Sequence, residues 1–383
     1  MLFDPAQHEP LTSSPWDTSA AVNAVDSIID QTLKAQRPGR FWSRHPEDDY
    51  EQPGDHDLGF WIGAAGVLWA LNYLGAEPAE SDLYESYRST PSLHGAPGLM
   101  TGEAGVLLVS WQLAPTADKE DRLFELVAAN RDNLANELFE GSPGTMAAAL
   151  GLYEATDAKR WADLWRDSAE VLLKRFTVDP ELNSRIWVQN RRGRLIRSIG
   201  AGHGFASNVH ALMRGQTLLE PAVIAHLTRD ATDTAKVLAI SDGGLRNWPA
   251  AADPYWAEQM PIRVQWCHGA PGLITSLADL PEDHGLDAML SAAGELVWAA
   301  GPLRKGPGLC HGSAGNACAF LALHRRFADE LWLERARAFA MHALGQLDPD
   351  RPRHSLWTGD IGVAVALDAC LHGYRGLPAV DVL

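Results

Sequence analysis

One short element recurs along almost the whole chain: Gly-x-x-Gly followed by an apolar run. It stands as Gly63-Ala-Ala-Gly66, Gly102-Glu-Ala-Gly105, Gly141-Ser-Pro-Gly144, Gly269-Ala-Pro-Gly272, Gly312-Ser-Ala-Gly315 and Gly359-Asp-Ile-Gly362. A degenerate copy is Gly204-Phe-Ala-Ser207. Repetition at such periods marks stacked supersecondary units. Between the copies lie segments with apolar residues at helical spacing: Val22, Val25, Ile28, Ile29 and Leu33, then 121–139, 159–176, 221–240, 286–300 and 328–347. Each unit therefore reads as an outer helix, a loop, and a Gly-x-x-Gly turn that opens a second helix. The second helices are rich in Ala, Val and Leu (Val363-Ala-Val-Ala-Leu367, for example), so they are buried on most sides. Glycine at the turn permits positive φ and close backbone approach. Seven such pairs satisfy one another by closing into a ring. The sequence predicts an all-α, double-layered (α/α)7 toroid with the turns converging at one end of its inner barrel. An open solenoid needs polar capping helices, and the last unit, ending Leu367-Asp-Ala-Cys-Leu-His372, has none.

Two spacers are longer than the rest. The first holds Ile186-Trp-Val-Gln-Asn-Arg-Arg-Gly-Arg-Leu-Ile196, which reads as a β-hairpin turning at Asn190-Arg-Arg-Gly193. The second has loop material around Trp248-Pro and Asp253-Pro, and residues 36–58, with Pro38, Gly39, Pro46, Pro53 and Gly54, read as a loop. Nothing resembles an interdomain linker, so residues 1–383 are expected to form a single domain with core repeats over about 57–372. A charge of −17 argues against nucleic acid and anionic membranes as partners, because both need surplus Lys and Arg. No signal peptide or apolar span is evident, and four cysteines are too few for a disulfide scaffold. A reduced, cytoplasmic protein with thiolates available for chemistry is the expectation.

Three turns carry metal-type side chains: Trp266-Cys267-His268-Gly269, Leu309-Cys310-His311-Gly312 and Gly202-His203-Gly204. Cys267 and Cys310 occupy the same place in their repeats, two residues before the first glycine. If the turns converge, both cysteines meet His311 and His203 at one mouth of the barrel. Two thiolates and an imidazole suit Zn²⁺ and leave the fourth tetrahedral position open, as in a catalytic site. Cys318 and Cys370 read as buried small hydrophobes. His268 matches His311 in position, as a further ligand or as a residue beside the ligands.

Trp-Cys-His-Gly-Ala-Pro-Gly, then Leu-Cys-His-Gly-Ser-Ala-Gly-Asn-Ala, after a Gly-His-Gly turn, resembles the lanthionine synthetase C-like (LanC-like) family over about residues 57–372. The resemblance implies an (α/α)7 barrel around zinc that forms thioethers, with ligands Cys267, Cys310 and His311. It maps the family's acid/base histidine onto His203 and its arginine onto Arg263, four residues before the first cysteine. The acidic position of the cyclases falls on Glu137, where bacterial members usually carry Asp. Lys305, five residues before Cys310, matches a lysine that eukaryotic-type members use towards glutathione. With Lys305, His268 is assigned to substrate binding.

The chemistry these groups suit is Michael addition of a thiol to dehydroalanine or dehydrobutyrine in a peptide or protein. A free thiol has a pKa of about 8.5, and coordination deprotonates it. Attack on the β-carbon creates an enolate that needs a cation, for which Arg263 is the candidate, and then a proton, for which His203 is. The thiol is either glutathione or a cysteine of the same peptide. Arg191, Arg192, Arg194 and Arg197 form a basic cluster that suits glutathione carboxylates or an acidic leader. Two rivals remain: a non-catalytic, zinc-containing scaffold that binds glutathione or peptides, and a glycan-active (α/α) barrel, which would leave the cysteines unexplained.

Overall fold

The computed structural model describes residues 1–11, 15–37, 41–48, 56–78, 82–90, 96–191, 193–282 and 284–382. Pro38, Gly39, Pro53, Gly54 and Arg192 of the sequence reading lie outside them. An outer helix α1 (Thr18–Ala35) precedes the first inner helix α2 (Ala64–Tyr73). Outer and inner helices then alternate as α3 (Leu83–Arg88), α4 (Glu103–Leu113), α5 (Ala117–Asn130), α6 (Ser142–Thr156), α7 (Lys159–Lys174), α8 (Phe205–Arg214) and α9 (Pro221–Leu238). After a short α10 (Pro254–Gln259) come inner α11 (Ala270–Leu277), outer α12 (Leu286–Ala300), inner α13 (Ser313–Phe327), outer α14 (Glu330–Gly345) and inner α15 (Asp360–His372).

The inner helices pack α2 on α4, α4 on α6, α6 on α8, α8 on α11, α11 on α13, α13 on α15, and α15 back on α2. That last contact closes the toroid. The N-terminal helix α1 packs on α15, so the two ends of the chain complete one unit. Inner helices are buried along nearly their whole length, Ser313 to Leu323 in α13 for instance, while outer helices bury one stripe.

None of the inner helices is capped by the side chain of its own N-cap residue, because each starts at a turn glycine, with Gly204 and its six counterparts in that place. In α2, α4, α8 and α13 the first orphan N–H goes instead to a backbone carbonyl seven residues upstream: Ala64 N to Asp57 O (2.9 Å), Glu103 N to Ala96 O (2.9 Å), Phe205 N to Ser198 O (2.9 Å) and Ser313 N to Gly306 O (3.1 Å). The loop thus curls under the helix start. A Cβ on the second glycine of a turn would sit 1.9 Å from Leu309 O at Gly315 and 2.1 Å from Phe60 O at Gly66. Close approach therefore explains the motif. The expected positive φ occurs only at Gly269 among the seven first glycines (φ 101°), and the others are at negative φ.

At the centre of the mouth, residues two before the first glycine join in a chain of backbone hydrogen bonds. Cys267 N donates to Cys310 O (3.1 Å), Cys310 N to Trp357 O (2.7 Å), Trp357 N to Trp61 O (3.2 Å), Trp61 N to Met100 O (2.8 Å) and Met100 N to Phe139 O (3.3 Å). The ring is open only around the fourth turn, which carries His203.

Among the described residues three short antiparallel hairpins decorate the spacers: β1 (Thr177–Asp179) with β2 (Ser184–Ile186), β3 (Gln189–Arg191) with β4 (Arg194–Ile196), and β5 (Ile240–Asp242) with β6 (Leu245–Asn247). The second is the expected one. The helix expected over 121–139 stops at Asn130, because Asn130 and Asn133 turn their side-chain amides onto Glu140 O (3.1 and 3.0 Å) and Asn136 takes positive φ. The chain after α15 buries Leu377, Ala379 and Val380, and Asp381 bonds His210 Nε2 of α8 at 2.5 Å. No helix among the described residues is long and apolar enough to cross a membrane.

Candidate metal and acid–base centre

The curled loops fix where each site side chain sits. Cys267 and Cys310, neighbours in the backbone ring, bring their sulfurs together, and His311 follows directly. The three donor atoms lie within 4.8 Å of one another, with both cysteines buried and His311 half-buried. Cys310 hydrogen-bonds Cys267, and this contact, against burial and with help from His268 and His311, holds the Cys267 thiol well below its ordinary range. The same contact and burial push Cys310 well above it. A divalent cation is the species that takes the place of a proton between paired thiols. These donors fit Zn²⁺. Cys318 is inert by comparison, burial alone pushing it up to about 12.

Beside this cluster stands a second pair. His203 Nδ1 donates to Glu137 Oε2 at 2.7 Å, and Glu137 is buried at 1% exposure. Glu137 also accepts from the backbone N–H groups of Phe139 (3.0 Å), Glu140 (2.6 Å) and Gly141 (3.2 Å). Burial raises its carboxyl, but the bond and charge of His203 and the backbone donors outweigh burial and hold it below the usual carboxylate range. The carboxylate can only accept, so it fixes the His203 proton on Nδ1 and leaves Nε2 for other work. The His203 ring lies 4.4 Å from that of Phe139 and 6.3 Å from that of His268. A Cβ on Gly202 would lie 3.3 Å from Cβ of Cys267, so the fourth and fifth turns touch where the two clusters meet.

His268 is not among the three convergent donors. Burial lowers its pKa, and the neighbouring His203, Arg263 and Arg191 lower it further against the pull of Cys267. Arg263 is half-buried, and its carbonyl is anchored by Asn247 Nδ2 (3.0 Å). Lys305 is exposed, and its charge favours the thiolate at Cys310.

The hairpin arginines separate into different roles. Arg197 is locked by Asp179, Glu181 and Asp253 (2.9, 2.9 and 2.8 Å), which removes it from the basic cluster read from sequence. Arg194 is exposed, and the charge of Arg191 bears on His268. Two residues of the centre were not singled out in sequence. Gln265 donates Nε2–H to Cys267 Sγ at 2.9 Å, and Asn247 Oδ1 accepts from Ala270 N at 2.8 Å, capping α11 where Gly269 departs from the other turns.

A family model for Lanthionine synthetase C-like protein matches residues 23–378. The chain belongs to the lanthionine synthetase C-like family. Among members of known sequence, it is 33% identical over 193 residues to the Danio rerio protein named Glutathione S-transferase LANCL1, covering 48% of this chain and 46% of that one. It is 43% identical over 83 residues to the Arabidopsis thaliana LanC-like protein GCL1, covering 21% and 19%. The matches thus span less than half the length of these curated relatives. The solved structure of nisin cyclase aligns over 94% of this chain and 95% of its own with a TM-score of 0.62 at 16% identity, so it shares the LanC fold.

Proposed function

We propose that this LanC-like protein is a zinc-dependent enzyme that forms thioethers by adding a thiol to dehydroalanine or dehydrobutyrine in a peptide or protein. The observation that carries the reading is the convergence of Cys267, Cys310 and His311 within 4.8 Å, next to the Glu137–His203 pair. Cys267, Cys310 and His311 would hold the zinc, which would supply an incoming thiol in deprotonated form at neutral pH. The chain's own groups do the rest. Arg263 offers a cation for the enolate oxygen, and His203 delivers a proton to the α-carbon while Glu137 holds its ring in one tautomer. Lys305, with Arg191 and His268 at the same mouth, suits the carboxylates of a thiol donor. Glutathione is one such donor, a choice supported by the name of the Danio rerio relative; a cysteine of the same peptide is the other. Four free cysteines suit a reducing compartment such as the cytoplasm.

The test is to incubate the zinc-loaded protein with dehydroalanine peptides, with and without glutathione, and read masses. A gain equal to glutathione selects intermolecular addition. Loss of an alkylatable thiol at unchanged mass selects cyclisation. No change in either arm refutes catalysis and leaves a zinc-containing binding scaffold.

A further inference from the structure

The position four residues before the first glycine is itself glycine in four turns (Gly59, Gly98, Gly200 and Gly308) and Ser355 in the seventh. At Gly98 and Gly200 the next turn's backbone occupies the space: a Cβ would lie 2.1 Å from Phe139 O and from Cys267 O. The third and fifth turns depart from this, and both departures sit at the centre. Glu137 orients His203, and Gln265, buried at 3% exposure, reaches Cys267 Sγ at 2.9 Å. Gln265 is held in place by reciprocal backbone bonds with His268, each 3.1 Å. Its carboxamide does not titrate, so the N–H donor is present at every working pH. Of the two site sulfurs it serves the more accessible one: Cys267 is 7% exposed and Cys310 3%.

We infer that Gln265 is a positioning residue that lowers the nucleophilicity of Cys267, so that the incoming thiol, and not the protein's own sulfur, attacks the dehydroamino acid. This rests on the proposed function. In the productive step the incoming sulfur forms a bond to the β-carbon. The C=C π pair moves onto the carbonyl oxygen as an enolate, and a proton then reaches the α-carbon. Cys267 keeps its lone pair and its place. Were Cys267 to attack instead, it would become a thioether and the centre would be destroyed by its own acceptor. Every thiolate gathered at one cation competes for the same electrophile. An N–H bond to one of them draws density from its lone pair, and such contacts to ligand atoms tune a metal centre.

The experiment compares zinc-loaded wild type with Gln265→Met, which keeps the volume and removes the donor, and Gln265→His, which restores an N–H at similar reach. Metal content is measured first, then the rate of iodoacetamide labelling at Cys267 and Cys310 by peptide mass mapping, with no dehydroalanine present. The expected result is unchanged zinc, labelling of Cys267 raised about tenfold in Gln265→Met, Cys310 unchanged, and a return towards wild type in Gln265→His. In cobalt-loaded protein the sulfur-to-metal absorption moves to lower energy in Gln265→Met only. Labelling of Cys267 within twofold of wild type, equal increases at both cysteines, or loss of metal from Gln265→Met would overturn the inference. A wild type that takes up no metal overturns the proposed function and this inference together. A wild type that binds zinc but adds no thiol sinks the catalytic reading alone, because labelling is read without turnover.

Discussion

Replacing Glu137 by Gln probes the acid–base pair most sharply. The carboxylate takes four hydrogen bonds inside the protein, three from backbone N–H groups and one from His203 Nδ1. A carboxamide keeps one acceptor oxygen and presents an NH₂ that can only donate. At least one buried N–H must then face another donor, and each unsatisfied buried group costs about 1–3 kcal/mol. The melting temperature should fall by a few degrees, on the order of 2–4 °C per kcal/mol in a chain of this size class. Turnover should fall further, by about 10²- to 10⁴-fold, because His203 loses the partner that sets its tautomer. Zinc content should not change, since Glu137 is not one of the three convergent donors. Glu137→Asp separates charge from contact: it keeps the carboxylate but withdraws it by about 1.5 Å, beyond reach of a 2.7 Å bond to His203, and should lose turnover similarly. The pH sign follows from the lowered carboxyl. Its contribution to stability is full above the unfolded value of 4.5 and is lost as pH falls through the lower folded value, so wild type and Gln variant should converge in acid. Calorimetry across pH, metal analysis and mass-resolved turnover test this. A Gln variant with full turnover and normal zinc would refute the orienting role of Glu137.

Other outcomes follow from the same geometry. His203→Ala should keep zinc and lose turnover, whereas Cys310→Ala should lose both; equal metal loss in the two would contradict the division of labour. Gly315→Ala should destabilise by about 3 kcal/mol or more, because its Cβ meets Leu309 O at 1.9 Å. Gly345→Ala, with nothing within 4 Å at the end of α14, should stabilise by about 0.5–1 kcal/mol, and thermal melts compare the pair. Burial raises the Asp360 carboxyl from 3.8 to about 6, so its charged form weighs against the fold above that pH. Asp360→Asn should then raise stability at pH 8 by up to about 3 kcal/mol, and the gain should vanish below the unfolded value; chemical denaturation at pH 8 and in acid measures it.

Much of this centre is legible in the chain because the Gly-x-x-Gly register labels equivalent positions from one repeat to the next. Cys267 and Cys310 are adjacent in the ring because they hold the same place in consecutive repeats, and His203 and His311 follow from the same alignment. Helix limits are less legible. The amides of Asn130 and Asn133 stop α5 through bonds to Glu140 O, and the apolar spacing of Leu134, Leu138 and Phe139 gives no warning of it. The fate of Arg197 depends on Asp179, Glu181 and Asp253, whose proximity only the folded hairpins create. Gln265 stands in plain view two residues before Cys267, but nothing in a glutamine's identity says that its amide turns onto a sulfur. Comparing the turns position by position flags it, since glycine is usual in that place.

X-ray absorption at the zinc edge of the purified, unreconstituted protein addresses the metal centre itself. The expected result is one zinc per chain with two sulfur neighbours at about 2.3 Å and nitrogen or oxygen at about 2.0–2.1 Å, changing to three sulfurs when glutathione is added. A protein free of zinc, or a zinc surrounded by nitrogen and oxygen alone, would contradict it.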